Sequence, residues 1–252
     1  MYNSTTGIKS YDYGDGLING VLRPYIQQAN PLCSNQLDTN ESEGNSVNAI
    51  GFAEVRFLKD FKFTSTNSVS SEETRSTITT NPWFGQYASQ NGAITVEHDR
   101  TWSYNYQQLL TWHHQFDQHE VDAMLGHEYY RRRYYVLYGD KTNMYTFPSN
   151  DMASAVNTGS TNSYRNDYNT EGWFGRVQYN YDQKYFASMS YRRDASSRFA
   201  PENRWGNFWS FGGAWMISKE KFFNVSWIDE LKIKASYGEQ GNDNIQDPVS
   251  YT

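Results

Sequence analysis

Cysteine is almost absent from this chain of 252 residues; Cys33 is the only one. That excludes an intrachain disulfide framework and any multi-cysteine metal site. Long apolar runs are missing too: no stretch approaches the ~20 apolar residues that a membrane-spanning helix needs. The opening Met1-Tyr2-Asn3-Ser4 is not a secretory signal, which needs a basic and then an apolar stretch. Cys33 follows Asn30-Pro31-Leu32 with no apolar run before it, so no lipoprotein anchor is written there. If the protein is exported, its targeting segment is expected outside this sequence. Positive charge is in deficit, with 22 Lys and Arg against 28 Asp and Glu and a net charge of −6, so no nucleic-acid partner is expected. Hydrophobic residues make up only 37%, and mean hydropathy is −0.84. Alone, those values describe a solvated or disordered chain.

The aromatic content contradicts that reading. Eight Trp, 21 Tyr and 14 Phe make 17% of the chain, and each buried ring removes roughly 150–250 Å² from water. Tyr, Trp, Phe, Thr, Asn and Ser are middling or poor helix formers, and the first four favour strands or tolerate them. The periodicity is two. From Thr101 to Phe116, one face carries Trp102, Tyr104, Tyr106, Gln108, Leu110, Trp112, His114 and Phe116, and the other carries Ser103, Asn105, Gln107, Leu109, Thr111, His113 and Gln115. A two-residue turn at Asp117-Gln118 sets Phe116 against His119, Trp112 against Ala123, and Leu110 against Leu125. On the polar face it sets Gln115 against Glu120 and His113 against Asp122. A slip of one residue would mix the faces.

The same logic places a three-residue turn at Asp182-Gln183-Lys184. It joins the apolar set Trp173, Val177, Tyr179 and Tyr181 to Tyr185, Ala187, Met189 and Tyr191. A third hairpin turns at Leu58-Lys59-Asp60, between Val47–Phe57 and a strand starting at Phe61. A fourth pair is Trp205–Ile217 with Leu231–Tyr237, joined by residues 218–230. That makes eight strands. Short connections alternate with long polar ones, at roughly residues 70–98, 139–170 and 194–204. All the long ones therefore emerge at one end. Residues 1–44 read as a further loop region of extracellular type, and residues 45–252 as the strands.

Strands of about ten residues with alternating faces, short turns at one end, long loops at the other and aromatic rims are the signature of an outer-membrane barrel. Rings flank the short turns: Phe57, Phe61, Phe116, Tyr181, Tyr185, Phe222, Phe223 and Trp227. A soluble β-sandwich would bury the same apolar face, so alternation alone leaves both architectures open.

Chemistry-bearing residues are few. His113, His114, His119 and His127 cluster in sequence, but the register puts His113 on the polar face and the others on the apolar face at different heights. A convergent metal site is therefore not expected. Arg131-Arg132-Arg133 ends a strand amid tyrosines and reads as a solvated or lipopolysaccharide-facing rim, since long basic side chains snorkel to interfaces. Asp12 and Asp15, beside Gly14 and Gly16, lack the spacing and closing Glu of a calcium loop. Trp83, Phe84 and Tyr87 lie in a long loop, where stacking on sugar rings competes with local packing. No nucleophile elbow, HExxH or phosphate-binding glycine loop occurs. No catalytic, cofactor or metal residue is expected, and enzymatic activity has no support.

From Gly172 the sequence becomes specific. Gly172-Trp173-Phe174-Gly175-Arg176-Val177-Gln178-Tyr179-Asn180-Tyr181 leads to Lys184-Tyr185. Then come Tyr191-Arg192-Arg193-Asp194-Ala195-Ser196-Ser197-Arg198-Phe199, Asn203-Arg204-Trp205-Gly206 and Ala214-Trp215-Met216-Ile217-Ser218-Lys219-Glu220-Lys221-Phe222. Leu231-Lys232-Ile233-Lys234-Ala235-Ser236-Tyr237-Gly238 with Gly241-Asn242 closes the block. Over residues 172–244 this strongly resembles the barrel of the SusC/RagA family of TonB-dependent outer-membrane transporters. Residues 45–138 resemble the preceding strands more loosely, notably at Leu58-Lys59-Asp60-Phe61 and Leu125-Gly126-His127-Glu128-Tyr129-Tyr130.

The resemblance implies an all-β, antiparallel, up-and-down transmembrane β-barrel of the Bacteroidetes outer membrane. It implies energised import of oligosaccharides or peptides with a SusD-like surface lipoprotein, outer-membrane lipid around the wall, a plug in the lumen and a TonB-engaging segment. Neither plug nor TonB box is expected within these residues, and the chain ends at Tyr251-Thr252 without the usual terminal aromatic. Eight strands against the about 22 of such transporters make this an internal barrel fragment. The competing expectations are a soluble glycan-binding β-sandwich and a non-transporting outer-membrane barrel.

Overall fold

A computed structural model describes residues 17–18, 21–22 and 31–243. Asp12, Asp15 and the neighbouring glycines lie outside the described residues, as do Tyr251 and Thr252. Two short strands, β1 (Leu17–Ile18) and β2 (Val21–Leu22), pair with each other, and one short helix, α1, spans Pro31–Leu37. No helix among the described residues is long and apolar enough to cross a membrane, which says nothing of strands.

The body is one eight-stranded antiparallel sheet: β3 (Thr39–Phe57), β4 (Phe61–Thr80), β5 (Ala93–Phe116), β6 (His119–Met144), β7 (Ala155–Tyr181), β8 (Tyr185–Ser196), β9 (Trp205–Met216) and β10 (Lys232–Gly238). Strand order follows chain order, so this is a meander, and β3 and β10 are its two edges. The turns fall where alternation puts them, at residues 58–60, 117–118 and 182–184. Leu58, Lys59, Asp117, Asp182 and Gln183 take positive φ there, between 49° and 61°. Such backbone reverses the chain within two or three residues and matches strand twist. The register of β7 on β8 pairs Tyr181 with Tyr185, Tyr179 with Ala187 and Val177 with Met189, apolar on apolar. Across the next pair, Met189 faces Phe211, and Trp215 then faces Ile233.

The long polar connections are shorter than expected, and the strands correspondingly longer. β4 runs to Thr80 and β5 starts at Ala93; β6 runs to Met144 and β7 starts at Ala155; β8 runs to Ser196 and β9 starts at Trp205. β3 likewise begins at Thr39, inside the region expected as loop. The reason is physical. Where both faces of a strand meet water, the apolar alternation vanishes, yet the backbone ladder still closes, and Thr suits it well. Ser, Thr and Asn without alternation imitate a loop in sequence.

The chain divides into two compact units. The first comprises Met1–Val47, Ser71–Thr101 and Tyr134–Asn166. Its small core is Ile94, Met144 and Ala155, with Val96, Phe147 and Met152 against it. Asn81, fully buried, organises the 81–92 connection. Its backbone N–H and Nδ2 donate to Asp38 Oδ1 (2.9 and 2.7 Å), and its Oδ1 accepts the N–H groups of Trp83 and Phe84 (3.0 and 2.8 Å). Trp83 sets its ring edge-on to Phe147 at 5.2 Å, so it is tied down by local packing.

The second unit comprises Asn48–Ser70, Trp102–Arg133 and Asp167–Thr252. No second layer of described residues covers its apolar face: Leu125 is 56% exposed, Trp173 48%, Val177 49%, Met189 50%, Phe211 48% and Ile233 56%. A soluble sandwich would have this face inside. An apolar face this long and open marks a contact surface for something outside the described residues.

Candidate functional site

The second unit offers two working surfaces. On the apolar face, at the short-turn end, aromatic and imidazole rings form a ribbon that crosses seven strands. Phe57 stacks on Phe61 at 5.5 Å, and Phe61 meets Trp112 at 6.3 Å. Trp112, His114 and Phe116 step along β5 at 5.8 and 5.7 Å. Phe116 stacks on His119 at 4.9 Å, and His119 reaches Tyr181 at 4.9 Å. Tyr181 stacks on Tyr185, Tyr185 on Trp215, and Trp215 meets Phe222, at 6.2, 6.4 and 6.2 Å. A second row stands further along the strands, where Tyr106, His127 and Trp173 touch at 6.0 and 4.2 Å, and Arg193 lies over the Trp205 ring at 5.0 Å. Between the rows sit Leu125, Val177, Met189 and Phe211. The steps from Trp173 to Tyr181 along β7 cover roughly 20 Å of barrel height at a rise of about 3.3 Å and a tilt of about 40°. That is close to the ~25 Å apolar band between two aromatic girdles.

The expected residues fall on these surfaces as follows. The histidines do not converge on one another; each has its own partner. His114 Nδ1 lies 2.8 Å from Asp60, His119 Nδ1 is 2.6 Å from the Tyr179 hydroxyl, and His127 Nε2 is 3.1 Å from Glu171. His113, on the polar face, pairs with Asp122 at 2.7 Å, as the hairpin register requires. Arg131 and Arg133 both reach Asp167, at 3.6 and 3.2 Å, while Arg132 is exposed on the opposite side of the strand.

The polar face is a wall of paired polar groups cut by grooves. Arg192 is held by Asp194 at 2.6 Å and Glu128 at 3.4 Å, and lies over the Phe174 ring at 5.3 Å. A pocket of about 360 Å³ opens there, with Tyr168, Ser196 and Phe208 in its lining. Nearer the turns, a groove of about 520 Å³ is lined by Glu120, Asp122, Gln178, Asn180, Lys232 and Lys234. Lys232 sits over the Phe186 ring at 4.0 Å. Hydroxyls, amides and mixed charges facing open space suit hydrated, hydrogen-bonding solutes.

The connection after β9 is clamped at Glu220. Its carboxylate accepts from the Tyr185 hydroxyl and from Trp215 Nε1 at 3.0 Å. Those two hydrogen bonds, Tyr185 first, hold the Glu220 carboxyl below its ordinary value of 4.5. A depressed carboxylate supports the fold above its unfolded value and loses that support as pH falls through the lowered one. The clamp is therefore intact at neutral pH and is released only as pH falls through that lowered value, in the acid range. Glu220→Ala should open it at every pH. In limited proteolysis at pH 7, the 218–230 connection is expected to be cut several-fold faster in the variant; equal cleavage rates would contradict the clamp.

Sequence reasoning missed that Glu120 and Asn180 meet: Asn180 Nδ2 donates to Glu120 at 2.8 Å. It also missed the Arg192–Phe174 stack. Finding the first needed the register of β6 on β7, which no short turn sets. For the second, alternation already put Arg192 on the polar face, and the turn register sets Phe174 opposite it, but the ring contact itself was not read.

With this geometry in place, the chain can be set beside known proteins. No family model matches the chain. Over 99% of its length the chain is 30% identical to the TonB-dependent receptor SusC of Bacteroides thetaiotaomicron, of which it covers 24%. The chain is a SusC/RagA-like barrel segment. It is also 27% identical, over 86% of its length, to TonB-dependent receptor P3 of Formosa agariphila, covering 22% of that protein. Its fold matches a chain in the structure of the RagAB peptide transporter with a TM-score of 0.81, at 24% identity, over 92% of this chain and 26% of that one. The RagAB peptide importer in its open-open state matches equally, with a TM-score of 0.81. The SusC/RagA-like chain thus spans about a quarter of the length of the curated relatives it matches.

Proposed function

We propose that this chain forms part of the wall of an outer-membrane importer that takes up oligosaccharides or peptides together with a SusD-like surface lipoprotein. The uncovered apolar face, bounded by two rows of rings, carries the reading, because only a lipid surround makes such a face stable in a single sheet. The grooved polar face lines the lumen. Energy arrives through a TonB contact made by residues other than those of the wall. In this reading residues 45–252 belong to the barrel, residues 1–44 are an extracellular-type region, and the plug is contributed from elsewhere. The wall passes solutes and performs no chemistry on them, so the reading is of a carrier rather than an enzyme.

Membrane fractionation of the natural full-length protein, followed by affinity purification in detergent, tests this. Recovery in the outer-membrane fraction with a co-purifying SusD-like lipoprotein is expected. A monodisperse protein in the soluble fraction without detergent would contradict the membrane reading. An outer-membrane protein whose deletion leaves growth on oligosaccharides and peptides unchanged would contradict the import reading alone.

A further inference from the structure

His113 stands apart from the other described histidines. His98, His114 and His127 each have one carboxylate, Glu73, Asp60 and Glu171 respectively. His113 has two. A nitrogen of its ring, an oxygen of Asp122 and an oxygen of Glu120 all lie within 4.8 Å of one another. The three come from facing positions of the β5–β6 hairpin: Glu120 and Asp122 are two residues apart on one face of β6, and His113 opposes Asp122. Glu120 is held from a third strand by Asn180 Nδ2 at 2.8 Å and from the next turn by Gln183 Nε2 at 3.3 Å. Asn180 Oδ1, beside it, is a buried acceptor with no hydrogen-bond partner. Two carboxylates and an imidazole drawn together, one of them fixed from two neighbouring elements, make a set of ligand atoms that a cation can use.

We propose that His113, Asp122 and Glu120 bind a divalent transition-metal ion of the zinc class on the polar, lumen-side face of the wall at its short-turn end. Zinc takes one nitrogen and carboxylate oxygens at about 2.0–2.2 Å, which sets ligand separations of roughly 3.3 Å, and leaves a fourth position for water. Side-chain rotation closes the present separations to that value. The ion replaces the proton now joining His113 to Asp122 (2.7 Å), and that proton goes to solvent. The imidazole and the small oxygen count favour zinc over calcium or magnesium, which take oxygen ligands and, for calcium, six to eight of them. The ion ties β5 to β6 and, through Glu120 and Asn180, to β7.

Calorimetric titration of zinc into the natural full-length protein in detergent micelles tests this, with magnesium present in large excess. The wild-type protein and His114→Gln should bind equally, because His114 lies on the other face. His113→Gln and Glu120→Gln should each weaken binding by about 10-fold or more. Glu120→Gln keeps an acceptor for Asn180, so it tests the ligand without undoing the strand contact, and heat-modifiability on gels confirms that each variant is folded. No zinc binding by the wild-type protein would overturn the site. So would equal binding by all four proteins, or displacement of zinc by magnesium.

Discussion

Val177→Arg is expected to destabilise the barrel by about 2–4 kcal/mol, whereas Gln178→Arg, one residue along, should change stability little. Charged substitutions on a lipid face near mid-bilayer cost about that much, while lumen substitutions leave folding largely intact. Val177 is half exposed on the apolar face and pairs with Met189, midway between the two rows of rings. Gln178 pairs with Ser188 and lines the lumen-side groove. Urea titration of the folded protein in lipid vesicles reads both. Equal effects would mean that the faces are not divided between lipid and water. A large effect at Gln178 with none at Val177 would mean that the sheet is inside out.

Gly126→Val should cost about 1–3 kcal/mol, the usual penalty of overpacking. Gly126 is buried on the polar side of β6, and a Cβ there would collide with the Phe174 ring. That ring carries the Arg192 guanidinium at 5.3 Å, so displacing it also disturbs the Arg192–Asp194–Glu128 group on the lumen wall. Phe174→Leu frees the space. In a double-mutant cycle, Gly126→Val in the Phe174→Leu background should cost distinctly less, with a coupling of about 0.5–3 kcal/mol. Additive costs would show that Phe174 does not occupy the site. The same variants should alter solute passage if the wall contributes to the pathway, since the 360 Å³ pocket is lined by Arg192 and its partners.

Much of the fold was legible because a short turn transmits register. Once Asp117-Gln118 was read as the turn, the pairing of His113 with Asp122 followed, and the structure has it at 2.7 Å. Asp182-Gln183-Lys184 did the same for Tyr181 and Tyr185. Where the connection is not a tight turn, register is not encoded locally. The contact between Glu120 and Asn180 spans β6 and β7, whose link was read as residues 139–170 but is only the stretch between Met144 and Ala155. The metal-ligating possibility was missed for a related reason. The histidines adjacent in sequence do not converge, whereas the two carboxylates near His113 lie on the facing strand, where the turn register sets Asp122 opposite it.

The sequence by itself determined the strand count, the short turns, the two faces and the family, because alternation, turn residues and a long ordered motif are local properties of the chain. It did not determine where the strands end. Beyond the apolar band both faces meet water, and the backbone ladder then persists without a side-chain signal. Nor could it choose between a sandwich and a membrane wall, since both bury alternate residues. Tertiary structure decided that: eight strands form one sheet, and no second layer of described residues covers its apolar face.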